Sequence, residues 1–291
     1  QIIIKAIMEL FHKMISAALN ISEKQINNTL NLLKDGATIP FISRYRKEVT
    51  GGLDEVQIEN IKNQYDKLCE TAKRKETILS TISEQGKLTA ELQKRIDDTW
   101  DTTELEDIYL PYKPKRKTRA EAARQKGLEP LAVTLMLQRE NNLEAKVGSF
   151  VKGDVKTIED ALKGARDIIA EQVNEDERAR NAIRNQFSRQ AVISAKVVKG
   201  KEEEATKYRD YFEFSEPLKR CTSHRLLAIR RAESEGMLKV SISPDDEECI
   251  ERLERQFVRS NNECGRQVAE AVQDAYKRLL KPSIETEFAA I

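Results

Sequence analysis

The side chains in this sequence that can do nucleophilic, acid–base or metal chemistry are few, and their spacing argues against it. His12 and His224 are the only imidazoles among 291 residues. Cys221 and His224 lie three apart and can in principle share a metal, but no second ligand pair accompanies them, and a protein zinc site draws on three or four side chains. The four cysteines, Cys69, Cys221, Cys249 and Cys264, contain no CxxC pair and sit in helical patterns. There a thiol behaves as a small apolar residue, so reduced core or half-buried positions are expected. His12, beside Phe11 and Lys13, reads as a half-exposed surface histidine, and His224, just after a helix cap, as the maker of a local hydrogen bond. The glycines form neither a GxGxxG run nor a Walker loop, so the backbone cradle for phosphates is missing. Carboxylates fall at capping positions or mix with Lys and Arg at helical spacing, as on solvated helix faces. No catalytic residue, metal or cofactor is expected, and an enzyme is the least supported class.

Two basic segments are more informative. In YKPKRKTR, Tyr112 to Arg119, the cations Lys113, Lys115, Arg116, Lys117 and Arg119 occur without an acid, directly after TELEDIYLPY, and Pro111 and Pro114 hold the chain extended. In FISRYRKE, Arg44, Arg46 and Lys47 alternate with Phe41 and Tyr45. Basic side chains interleaved with aromatics can neutralise phosphates and stack on unpaired bases. For the first segment a phosphate contact and a solvated loop whose charges are met by neighbouring acids both stay open. For the second, the solvated or acid-paired loop is favoured over a phosphate contact, and a tight buried turn stands level with it.

The elements around these segments are almost all helical. Ile7, Leu10, Phe11, Met14, Ile15, Ala18 and Leu19 share one face of a first helix. Ser22 with Gln25 and Asp54 with Gln57 form capping boxes, and Gly36 suits the left-handed end of the second helix. The run from Asp54 to about Gln85 predicts a helix on the order of 45 Å long. Short helices follow near Ala90–Thr99, Glu104–Tyr109 (capped by Thr103), Arg119–Lys126 and Leu131–Glu140. The last two, joined at Gly127, have helix-turn-helix spacing. A long helical stretch from Thr157 to about Lys199, broken near Asn174 and Ser188, precedes a helix capped by Ser223. Met237–Ser243 has strand alternation. Helices over Asp246–Ser260 and Glu263–Lys281 end at Pro282, and the segment from Ile284 to Ile291 starts a further apolar pattern that looks interrupted.

The fold expected is therefore all-α, a multi-helix bundle with long helices, a helix-turn-helix-like module and at most one or two short strands. The expected organisation is a main helical domain from 1–85 and 173–291 with the short-helix module, 86–172, inserted, the two long helices pairing as a stalk. Composition agrees: 34% of residues are charged and 5% aromatic, which suits amphipathic helices better than sheets. Lys and Arg number 50 against 49 Asp and Glu, so no global field draws the chain to nucleic acid or membrane and binding must come from local patches. QIIIKAIMELF is too short and too soon interrupted by charge for a signal sequence, which makes the cytoplasm the expected location.

Four stretches together are specific: ATIPFISRYRKEVTGGLDE, LEDIYLPYKPKRKTRAEAARQKGLEPLA, SHRLLAIRRAESEG and AYKRLLKPSIETE. In this order they resemble the amino-terminal region of the Tex family of bacterial transcription accessory proteins, over nearly the whole chain. The resemblance implies a multidomain protein related to a eukaryotic elongation factor and histone chaperone, with no established enzymatic activity. It also implies an RNase H-like domain of the YqgF type, helix-hairpin-helix elements and a nucleic-acid-binding OB-fold beyond this segment, which thus reads as an amino-terminal part. One departure is Arg231-Ala232 where relatives tend to carry Arg-Gly, which bears on the local turn. The expected role is a helical scaffold with auxiliary RNA or DNA binding through Arg44, Arg46, Lys47, Lys113, Lys115, Arg116, Lys117 and Arg119. The expected partners are nucleic acid, the remaining domains of the full-length protein and the transcription machinery. The alternative is a protein-interaction platform without nucleic-acid contact.

Overall fold

Ser22 and Asp54 form the capping boxes that their spacing predicts. Each side chain accepts from the backbone N–H three residues on, at 3.2 and 2.8 Å, and so satisfies helix-end donors that would otherwise lack partners. They open α2 (Glu23–Lys34) and α5 (Glu55–Glu84), between which lie α3 (Ile39–Tyr45) and α4 (Lys47–Thr50), all preceded by α1 (Ile2–Leu19). This is a computed structural model, and it describes residues 2–289. Two compact units make up the chain, Gln1–Lys113 and Pro114–Ile291.

In the first unit Phe11, Ile15, Ile26, Ile42, Ile58, Ile61 and Leu68 build one core. Farther along α5, Ile78 and Ile82 meet α6 (Ala90–Asp98) and α7 (Thr102–Tyr109) through Leu92, Ile96, Leu105 and Ile108. A 3-10 turn, Leu110–Tyr112, follows α7. The cap of α7 is Asp101, which accepts from Thr103 N at 2.9 Å, in place of the expected Thr103. A carboxylate facing two free N–H groups is the stronger acceptor there. Three positions expected inward, Ile7, Leu10 and Ala18, are exposed.

The second unit begins with α8 (Arg119–Gln125), α9 (Glu129–Leu137), α10 (Leu143–Gly148), α11 (Ile158–Glu175) and α12 (Glu177–Gln190), and its helices continue with α13 (Ser223–Ser234), α14 (Asp246–Phe257), α15 (Glu263–Asp274) and α16 (Lys281–Ala289). The fully buried face of α11, including Ala165, Ile168, Ile169 and Val173, is the centre of its large core. α6 and α7 share their core with α5, whereas α8 to α11 share theirs with α14 to α16. The two units accordingly divide at 113/114.

Strands number three among the described residues, against the one or two expected: β1 (Val192–Val197), β2 (Glu213–Pro217) and β3 (Leu238–Ser243), antiparallel in the order β2-β1-β3. Ile193 opposes Ile242 and Ala195 opposes Val240, and these residues pack with Ile229 and Ala232 of α13. The helical stretch expected to reach Lys199 ends at Gln190 because Val192-Ile193 and Val197-Val198 bring β-branched residues, stiff in a helix, into a run that alternates inward and outward. β2 is legible only with difficulty, since Phe214 is its one large apolar residue.

Pro282 does not end the last long helix. Residues Ala275–Leu280 form a π-helical segment and α16 continues through Pro282. Proline has no N–H to donate, and its ring would collide with the carbonyl four residues back in a straight α-helix. The widened turn removes both conflicts. Likewise α13 is capped by Thr222, which accepts from Arg225 N at 3.3 Å, and not by Ser223, its first helical residue.

Candidate nucleic-acid interface

The acidless run after Tyr112 becomes an extended strap. Lys113 closes the first unit, where Gln85 donates to the Tyr112 carbonyl at 2.7 Å. Pro114 to Thr118 starts the second unit and leads into α8, whose first turn is capped by Thr118 accepting from Glu121 N at 3.0 Å. Lys115 is tied down: its Nζ lies 3.0 Å from Glu171 and also bonds Glu175, one turn further along α11. Glu171 also accepts from Arg124 at 2.9 Å and from the Thr118 hydroxyl at 3.4 Å. Burial pushes the Glu171 carboxyl up, but hydrogen bonds from Lys115 and Arg124 outweigh it and hold the group below its ordinary value of 4.5. Two cations thus meet two carboxylates, and Lys115 is not available to a phosphate.

Arg116, Lys117 and Arg119 differ. All three are exposed, as is Lys113, and among the described residues none has a carboxylate at ion-pairing distance. Arg119 borders a cleft of about 430 Å³ between α8 and α11 whose rim also carries Lys126, Lys163, Asp154, Asp160 and Asp167. Three cations against three acids give this cleft no net sign for an anion.

Of the readings open for FISRYRKE, the tight buried turn is not the one found. Only Ile42 of α3 is fully inside. Thr38 caps α3, accepting from Phe41 N at 3.3 Å. Arg46 then breaks the chain into α4, whose end is fixed on α2 by Gln25 donating to the Thr50 carbonyl at 3.0 Å and Asn28 to the Val49 carbonyl at 3.1 Å. Gly51 turns there with φ of 75°, a conformation that favours glycine, and a Cβ would sit 2.7 Å from Gln25 Nε2 and displace that amide. On this hook Phe41 and Tyr45 are 40% and 61% exposed, their centroids 5.4 Å apart. The Arg46 guanidinium lies 4.9 Å over the Phe41 ring and donates to the Tyr45 carbonyl. Arg44 and Lys47 are exposed, and no carboxylate among the described residues pairs with either.

The structure thus absorbs Lys115, engages Arg46 with Phe41 and the Tyr45 carbonyl, and leaves the other six predicted cations exposed. Sequence reasoning missed Glu171 and Glu175, 56 and 60 positions from Lys115. The available signal was an i, i+4 acid pair at the end of a helix whose other face is apolar. The helix-turn-helix spacing is present in α8, the Gly127 turn and α9, but α9 has no Lys or Arg, and its exposed large residues are Val133 and Leu137. That face does not suit reading of a phosphate-lined groove. All four cysteines are free thiols, Cys249 and Cys264 buried. Among the described residues no His, Cys, Asp and Glu side chains gather in threes to hold a metal, and no helix is long and apolar enough to cross a membrane.

Comparison with known proteins bears on this chain at the level of family. The family model described as Tex central region-like matches residues 138–290, and that of the Tex-like protein N-terminal domain matches residues 9–83. The protein YdcI of Bacillus subtilis is 39% identical over 283 residues, 96% of this chain and 39% of its own length. The transcriptional accessory protein Tex of Neisseria gonorrhoeae is 42% identical over 236 residues, 80% of this chain and 31% of its own. The human S1 RNA-binding domain-containing protein 1 is 30% identical over 297 residues, 96% of this chain and 29% of its own. The chain thus spans between about three tenths and two fifths of the length of these relatives. Both family regions occur here in order and together take in most of the chain, which belongs to the Tex family.

Proposed function

We propose that the chain is a helical scaffold of a transcription accessory protein and that its basic segments add phosphate contacts to RNA or DNA. The observation that carries this reading is the separation of roles in the strap. Lys115 is used up in holding the strap to α11, whereas Arg116 and Lys117 are left in solvent with no ion pair among the described residues. The names of the relatives support the context, since one is a transcriptional accessory protein and another carries an S1 RNA-binding domain. Binding carried by a few exposed cations is weak and strongly salt-dependent, because each phosphate neutralised releases a counterion. The test is fluorescence anisotropy with labelled RNA and DNA at low salt. Arg116→Glu/Lys117→Glu is expected to weaken binding about tenfold and flatten its salt dependence, and unchanged affinity would remove the strap from the interface.

A second reading has its own observation. Val133 and Leu137 of α9, a helix with no Lys or Arg of its own, and Leu227 of α13 are more than half exposed, and exposed apolar side chains suit protein contacts better than phosphates. In that reading the chain orders neighbouring domains and docks on the transcription machinery. Nuclease-resistant capture of RNA polymerase, lost on Val133→Ser/Leu137→Ser, would favour it.

A further inference from the structure

We propose that Phe41 and Tyr45 form a stacking platform for unpaired bases, so that the nucleic acid engaged by the hook is single-stranded. The inference rests on the nucleic-acid reading above and names its ligand class at a second place. Phe41 and Tyr45 are 40% and 61% exposed side by side on a short, fixed element, and covering two adjacent rings is favourable for whatever ligand does so. Here the rings lie one helical turn apart at 5.4 Å, on a helix anchored by buried Ile42. The Arg46 guanidinium, 4.9 Å over Phe41, holds that ring from one side, and the Tyr45 ring is tilted 47° to it. Around them the segment carries Arg44, Arg46 and Lys47 against the single acid Glu48. This excess charge favours a polyanion over an apolar protein surface.

Aromatic faces discriminate between strand states for a geometric reason. In a duplex the base faces are already stacked on one another, and a ring outside the helix reaches only sugar and phosphate. In a single strand each base offers a π-face of any sequence, and the cations take the flanking phosphates. The hook's α4 end is held to α2 by side-chain bonds to the Thr50 and Val49 carbonyls, so little order has to be gained on binding.

The test uses the whole chain and fluorescein-labelled oligouridylate or oligothymidylate of about a dozen nucleotides, beside a duplex of the same length, at low salt. Wild type is expected to bind the single strands about tenfold more tightly than the duplex. Phe41→Ala/Tyr45→Ala is expected to lose that preference, with single-strand affinity falling about tenfold and duplex affinity unchanged, whereas Tyr45→Phe retains it. Circular dichroism checks that the variants fold, which their exposed positions favour. Equal binding of duplex and single strand by wild type, or a double variant within twofold of wild type on single strands, would overturn the platform. If Arg116→Glu/Lys117→Glu still weakens binding in that event, the strap reading survives and only stacking is lost. If wild type binds neither probe, both fail and the rings belong to a protein contact.

Discussion

The strap and the hook are both short, basic and aromatic in sequence, yet the fold treats them in opposite ways. In the strap a cation does structural work: Lys115 is held between Glu171 and Glu175, and Glu171 also gathers Arg124 and Thr118. In the hook the anchoring is done by uncharged groups, Ile42 in the core and the amides of Gln25 and Asn28 on backbone carbonyls. Its cations and rings are left over. A basic residue is free for a ligand only when something else holds its segment in place, and a count of charges along the chain does not show which case applies.

The largest effect on this contrast is expected from Gly164→Ala. A Cβ there would lie 2.3 Å from Leu128 Cδ1, and Leu128 is fully buried in the turn between α8 and α9. Overpacking of this kind costs about 1–3 kcal/mol, and the helix pushed away is the one that continues from the strap. Thermal unfolding should show the loss, with binding through the strap weakened and the single-strand preference of the hook kept. Glu171→Ala comes next. It leaves Lys115 with Glu175 alone and takes from Arg124 its shortest ion pair, for a cost of about 1–2 kcal/mol. A loss below a few tenths of a kcal/mol in chemical denaturation would mean that the strap is not held by this cluster.

Acid supplies the same perturbation without a mutation. The folded-state pKa of Glu171 is depressed below 4.5, so its contribution is fully present above that value and is lost as pH falls through the lower folded value. Hydrogen exchange at Lys115 to Thr118, corrected for intrinsic rates, should therefore accelerate only below about pH 4.5 in wild type. In Glu171→Gln it should be fast already at neutral pH. Identical protection in the two proteins at pH 7 would count against the clamp.

Much of this frame was legible from local chemistry. The capping boxes at Ser22 and Asp54, the left-handed Gly36 and the strand at 238–243 stand where short-range rules place them, because those rules involve partners three or four residues apart. What failed to show has non-local or competing causes. β1 was absorbed into a helix since its alternation is brief and its partners lie at 213–217 and 238–243. Pro282 looked like a terminator because a π-turn that accommodates it depends on the core holding Tyr276 and Leu280. At the candidate interface all eight cations were visible, but the acids that neutralise Lys115 come from α11. The exposure of Phe41 and Tyr45 could not be read either, as FISRYRKE has the same residues whether its rings point in or out.

The smallest predicted effect separates the two regions most cleanly. Lys115→Met should cost up to about 1 kcal/mol, since a partly exposed pair is lost and two carboxylates are left facing each other across one helical turn. Arg46→Gln removes a half-exposed guanidinium from the Phe41 ring and one bond to the Tyr45 carbonyl, interactions worth about 0.5 kcal/mol together at a surface site. Urea titrations of the two variants should therefore rank Lys115→Met as the less stable. On oligouridylate the order should reverse, with Arg46→Gln the weaker binder, because Lys115 has no free charge to lend. A Lys115→Met variant that binds worse than Arg46→Gln while unfolding like wild type would invert the assignment, making Lys115 the contact and Arg46 part of the frame.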